Sequence, residues 1–106
     1  MPLDSTGLDA TTQFLLKVRD RLTPENWRPY AVSSPRDYSE GRGCLIQQYH
    51  YVMRHGGALP YDNIRPIQAR LMKAAGCKRF DGLARFNDTH SLEEVQAVVD
   101  RAIAGG

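Results

Sequence analysis

Within the stretch ARFNDTHSLEEV, Ala84 to Val95, stand Phe86, Asn87, Asp88, His90, Glu93 and Glu94. No other part of the chain concentrates as many hydrogen-bonding and titratable groups. A Cys-His-Asn or Cys-His-Asp nucleophilic site would take its thiol from Cys44, its base from His50 or His55, and its orienting group from Asn87 or Asp88. Such a thiol needs an adjacent base, and the base a partner that fixes it. Spacing argues against the arrangement. On one helix, Cys44 and His50 stand about 60° out of registry and roughly 9 Å apart along the axis, and no glycine-rich nucleophile turn marks either cysteine. His50, His55, His90 and the two thiols lack the pair spacing of a zinc site, such as two histidines four apart on a helix. Phosphate-cradling and dinucleotide motifs are missing as well. The one Gly-x-Gly, Gly41 to Gly43, precedes a helix but follows a loop rather than a strand. The expectation is a protein more suited to binding than to catalysis, with no metal and no cofactor.

The same stretch has a structural explanation. Ser91 followed three residues later by Glu94 is a capping box, in which the hydroxyl takes a free backbone N–H and the carboxylate reaches back to the cap residue. Glu93 adds negative charge at the positive end of the helix dipole. Asn87 and Asp88 have short side chains that bond their own backbone, which places them in a turn leading out of the preceding helix.

Charge points to two binding surfaces. From Arg65 to Arg85 the chain carries Arg65, Arg70, Lys73, Lys78, Arg79 and Arg85 against Asp81 alone, a local charge of +5 inside a protein whose net charge is +2. Such asymmetry suits nucleic acid or an acidic protein face, and Arg70, Lys73, Lys78 and Arg79 are its candidate contacts. The second surface is Arg28 to Gly43, RPYAVSSPRDYSEGRG, rich in Pro, Ser, Gly and charge and without period. A loop of that length inside a compact domain tends to be functional or disordered. Its Tyr30, Arg36, Tyr38 and Arg42 are residue types favoured at interfaces.

The elements that must position these residues read as helices. Phe14, Leu15, Val18 and Leu22 fall at helical spacing and predict an amphipathic helix over roughly 10–22. Thr23 and Pro24 then suit a short capped turn that delivers Trp27 to the core. Cys44, Leu45, Ile46, Tyr49, Tyr51, Val52 and Met53 cover most of a helical circumference, which predicts a central helix closed by Gly56 and Gly57. Ile64, Ile67, Leu71 and Ala74 define a third long helix, starting near Asp62 because Pro66 is tolerated only close to a start, and ended by Gly76. Phe80, Leu83 and Ala84 fit two further turns. Leu92, Val95, Val99, Ala102 and Ile103 mark the last helix. The fold class is all-α: one domain over residues 1–106, a compact bundle of about four main helices with short helical turns and residues 28–43 as a long loop.

At 106 residues, 42% hydrophobic and 25% charged, the chain can bury one core without a disulfide or a structural metal. Two isolated cysteines fit a reducing compartment, and both are expected to act as small buried hydrophobes. MPLDSTGLDATT has neither a basic start nor an apolar run, and no segment approaches the roughly 18 apolar residues of a membrane span. A soluble cytoplasmic protein is expected.

Phe86-Asn87-Asp88 followed by Ser91, Glu94 and Val95 resembles the aromatic-Asn-Asp … Ser/Thr-x-x-Glu-Val C-terminal signature of an uncharacterised family of small all-helical bacterial and phage proteins. Trp27 and GRGCLIQQYHYV are similar to that family's Trp and Cys-containing second helix, so the likeness spans roughly 14–103. Where Phe86 stands the family more usually has Trp, and where Gln47 and Gln48 stand it has small residues. The resemblance implies a helical architecture and a bacterial or phage origin, and supplies no mechanism. Together these features lead to the expectation of a non-catalytic protein-binding module, an inhibitor of a host system if the origin is a phage or mobile element. The alternative is a nucleic-acid-binding protein using residues 65–85, and a thiol-dependent enzyme ranks third. Partner identity and oligomeric state are left open.

Overall fold

Amphipathic periods become helices in the computed structural model, which describes residues 10–55 and 64–105. Among the described residues run six helices: α1 (Ala10–Arg21), α2 (Pro35–Ser39), α3 (Leu45–His55), α4 (Ile64–Ala75), α5 (Gly82–Thr89) and α6 (Leu92–Ile103). No strand occurs among them, only an isolated parallel bridge between Trp27 and Gly43. Four helices have eleven or twelve residues and two are short, the expected all-α bundle. Gly56, Gly57 and Asp62, expected to separate two of the long helices, lie outside the described residues.

The centre of the bundle is α6, packed on α4, α1 and α5. Its Val95, Val98, Val99 and Ala102 have no exposed surface, and Val98 widens the apolar stripe beyond the face expected from period. Phe14, Leu15 and Val18 from α1, Leu22 just after it, Leu45, Tyr49 and Val52 from α3, Ile67 and Leu71 from α4 and Leu83 from α5 share one core with Val95, Val99 and Ala102. Burying each large apolar side chain contributes about 1.5–3 kcal/mol.

The centrality expected of Leu45–His55 is corrected. α3 packs on α1 and α5, burying Leu45, Gln48, Tyr49 and Val52 while His50, Arg54 and His55 are exposed. Ile46, Tyr51 and Met53, which made the sequence look apolar all round, are half-buried. Long and aromatic side chains can lie along a surface with only part of their area covered.

Neighbouring helices satisfy one another's carbonyl ends, which no intrahelical N–H can reach. Gln96 Nε2 on α6 donates to the Leu22 carbonyl after α1, at 2.8 Å. The Arg101 guanidinium on α6 donates to the Ala74 carbonyl of α4, at 3.1 and 3.3 Å. In return Arg70 on α4 donates to the Ala102 carbonyl of α6, at 2.9 and 2.6 Å, and to that of Ile103, at 3.0 Å. Cations at these positions also meet the negative end of the helix dipole. α4 closes as expected at Gly76, in a Schellman motif: φ is +73°, Cys77 N–H bonds the Met72 carbonyl at 2.9 Å and Gly76 N–H that of Lys73 at 3.2 Å.

Among the described residues, no helix is long and apolar enough to cross a membrane.

Candidate functional site

The segment between Trp27 and α3 is not the structureless loop expected of its composition. It contains α2, started by Ser34, whose hydroxyl accepts the Asp37 N–H, with Pro35 in the first turn. Backbone bonds join its ends: Arg28 N–H to the Gly43 carbonyl and Gly43 N–H to the Asn26 carbonyl, both 2.9 Å. Thr23 caps the turn before it as expected: its hydroxyl accepts the Asn26 N–H at 3.3 Å, and its carbonyl accepts the Trp27 N–H at 2.8 Å.

Three carboxamides hold the segment to the bundle. Gln48 on α3 is fully buried; its Nε2 lies 2.8, 3.0 and 3.2 Å from the carbonyls of Gly41, Asn26 and Gly43, and its Oε1 accepts Arg21 Nε at 3.1 Å. Gln47 clasps Val32 like a paired strand: Oε1 accepts the Val32 N–H and Nε2 donates to the Val32 carbonyl, both at 2.9 Å. Asn87 is the third. Its Oδ1 accepts the Trp27 indole N–H at 2.6 Å and the Leu45 N–H at 3.0 Å, and its Nδ2 donates to the Arg28 carbonyl at 3.0 Å. The expected turn role of Asn87 is therefore corrected, since the residue lies inside α5 with no exposed surface. Close approach also fixes the glycines. A Cβ on Gly41, where φ is +81°, would lie 2.0 Å from Arg21 Nη2, and one on Gly43 would lie 2.1 Å from Gln47 Oε1.

What this scaffold displays is mainly aromatic. Tyr30 is 55% and Tyr38 41% exposed, among the largest exposed apolar side chains described. The Arg54 guanidinium of α3 lies over the Tyr38 ring, 4.5 Å from its centroid, and donates to its hydroxyl. Arg21 lies over the Tyr51 ring in the same way, at 4.1 Å. Arg36 and Arg42, expected as binding groups, are paired within their own segment: Arg36 with Glu40 at 3.3 Å, and Arg42 with Asp37 at 3.2 Å and with Glu40. Hydrogen bonds from Arg42 and then Arg36 hold the Glu40 carboxyl below its ordinary pKa.

The cations of the basic segment are not equally placed, and Arg65 is exposed on α4. Arg70 is half-buried and held by α6 carbonyls and by Thr12 Oγ1 at 3.1 Å. Arg79 pairs with Asp81 at 3.6 Å. Lys73, Lys78 and Arg85 are exposed. Lys78, Arg79 and Arg85 share an open cavity with Cys77, Asp81 and Gly82.

Cys44 is buried as expected, whereas the burial expected of Cys77 is corrected, since it is half-exposed and lines the open cavity. Cys44 is buried whereas His50 is exposed, and among the described residues neither thiol has a histidine or carboxylate within hydrogen-bonding distance; Cys77 Sγ lies 4.0 Å from the Ala75 carbonyl. No group of three His, Cys, Asp or Glu side chains among the described residues could hold a metal ion. Ser91 and Glu94 form both bonds of the capping box, at 3.2 and 2.9 Å, and His90 stacks on Phe86 with ring centroids 3.7 Å apart.

Sequence reasoning singled out the displayed tyrosines but not the groups that hold their segment. Gln48 carried a usable signal, since it falls with Leu45, Tyr49 and Val52 on one helical face. Arg54 carried none, because nothing local links it to a tyrosine sixteen residues earlier.

No protein-family model, no curated protein and no solved structure matches the chain.

Proposed function

We propose that this protein is a small non-catalytic module that binds a protein partner through the tyrosine-bearing segment 28–43 and the adjoining exposed side of α3. The observation that carries this reading is the contrast within one segment: its backbone is fixed by Gln47, Gln48 and Asn87, yet Tyr30 and Tyr38 stay exposed, Tyr38 with Arg54 over its ring. Pre-ordering a loop removes part of the entropy that association must otherwise overcome. Tyrosine brings a large contact area with few rotors to freeze, which is why it recurs among the residues that dominate interface energies. Arg36 and Arg42, paired with Asp37 and Glu40, act at the rim, where charges tune the association rate more than the lifetime of the complex. A reducing cytoplasmic setting suits the two unpaired thiols. The likeness to bacterial and phage proteins extends the reading to an inhibitor of a host system that acts by covering its surface.

The test uses the partner recovered by co-purification from the native host, with affinities measured for single variants that keep the wild-type melting temperature. Tyr38→Ala is expected to weaken binding by about tenfold or more, mostly through faster dissociation. Lys73→Ala is expected to change it less than about threefold. The reverse order would refute the assignment and move the interface to the basic segment.

A further inference from the structure

Cys77, Lys78, Arg79, Asp81, Gly82 and Arg85 line a wide, open cavity of about 460 Å³ at the corner between α4 and α5, apart from the tyrosine-bearing segment. Its charge is unbalanced. Lys78 and Arg85 have no ion pair among the described residues. Arg79 meets Asp81 at 3.6 Å with side chains 82% and 74% exposed, and so exposed a pair is worth little and is readily exchanged for a stronger anion. Three cations thus border one concavity against a single carboxylate. Concave walls of one sign focus the field and raise the local concentration of a counter-charged ligand. Gly82 contributes no side chain to fill the space, and a Cβ there would press on Cys77 Cβ and Sγ at 3.1 and 3.2 Å.

We propose that this cavity binds the phosphate group of a small phosphomonoester or free phosphate. Two arginines offer planar forks that match phosphate oxygens, Lys78 adds a compact point charge, and charge-assisted bonds of this kind are the strong ones. A dianion gains more from three cations than a lone carboxylate does. The site is a hollow with cations on its walls, which favours an end group that enters it. A duplex, being a convex rod, touches proteins along a row of phosphates and is less well served. Arg70, which would have extended such a row, is held by α6.

The experiment titrates the full ¹⁵N-labelled chain with inorganic phosphate, then with a nucleoside 5′-monophosphate, a phosphoserine peptide and, at matched ionic strength, sodium chloride. Expected are saturable amide shifts centred on 77–85 with phosphate or the monophosphate, with Kd at or below about 1 mM, and none with chloride. Tighter binding of the monophosphate than of phosphate would identify a metabolite as the ligand, and equal binding would identify the free anion. The double variant Lys78→Gln/Arg85→Gln, both exposed residues whose loss leaves the core intact, should weaken binding by about tenfold or more. Lys73→Gln, on α4 but outside the cavity, should change it less than about twofold. The proposal is overturned if no saturable shift appears, if chloride reproduces it, or if Lys73→Gln weakens binding as much as the double variant. Much tighter binding of the phosphoserine peptide would also overturn it, by reassigning the cavity to a phosphoprotein.

Discussion

The carboxamide of Asn87 joins three parts of the chain: the Trp27 indole, the first N–H of α3 and the Arg28 carbonyl at the start of the tyrosine-bearing segment. Truncation would leave two donors and an acceptor without partners, the Leu45 N–H buried and the Trp27 indole and Arg28 carbonyl partly so, and each unsatisfied buried group costs about 1–3 kcal/mol. Asn87→Ala is therefore expected to lower the unfolding free energy by about 3–5 kcal/mol in urea titrations followed by the fluorescence of Trp27, the only tryptophan. The native emission should shift as the indole loses its acceptor. Asp88→Ala, exposed and one residue away, should cost less than about 0.5 kcal/mol. An equal loss at the two positions would contradict the hub role. Asn87 is also where sequence reasoning fell short. Short polar residues near a helix end are usually turn formers, and only the four-residue step from Leu83 hints that Asn87 shares the buried face. Its partners Trp27, Arg28 and Leu45 lie 60, 59 and 42 positions away, beyond any local pattern.

Elements whose order comes from their own period were legible. α1, α4 and α6 sit where apolar spacing places them, and the start of α6 is written in Ser91 and Glu94. Segment 28–43 was only partly legible: Ser34 and Pro35 write the start of α2 locally, but the bonds from Gln47, Gln48 and Asn87 that hold the segment come from outside it, and the outer position of α3 carried no local signal either. The capping box yields a prediction about α6. The Ser91 backbone N–H is the main cause that holds the Glu94 carboxyl below its ordinary pKa, with the Ser91 hydroxyl and nearby His90 acting in the same direction and slight desolvation opposing them. A lowered folded pKa means that the unfolded chain binds more protons in the window between the two values. The stabilisation is complete above the ordinary carboxyl range and disappears as pH falls through the lowered value. The gap in melting temperature between wild type and Glu94→Ala should therefore be full at neutral pH and close in acid. Ser91→Ala should cost about 1 kcal/mol at neutral pH and leave partner binding unchanged. A gap that persisted undiminished in strong acid would show that Glu94 acts through packing instead of charge.

On the scale of the whole molecule, a local charge of +5 over residues 65–85 invites a nucleic-acid reading, and the three-dimensional arrangement of that charge argues against it. Arg70 ties α4 to the end of α6, while Lys78, Arg79 and Arg85 border one hollow and Arg65 and Lys73 are exposed on α4. Nucleic-acid affinity grows with the number of phosphates neutralised together, each releasing counterions, and so does its dependence on salt. A surface that can engage few phosphates at once is expected to bind random single- or double-stranded DNA or RNA no better than micromolar at physiological salt. The check is fluorescence anisotropy with labelled oligonucleotides across a salt series. A plot of log affinity against log salt should have a slope shallower than about −3. Submicromolar, sequence-independent affinity at physiological salt, lost when Lys73, Lys78, Arg79 and Arg85 are neutralised together, would displace the protein-binding reading. It would mean that exposed cations of α4 and α5 work as one surface despite the commitment of Arg70. Loss of affinity only with Arg70→Ala would have a different meaning, because that variant also uncaps α6, and its melting temperature would fall with it.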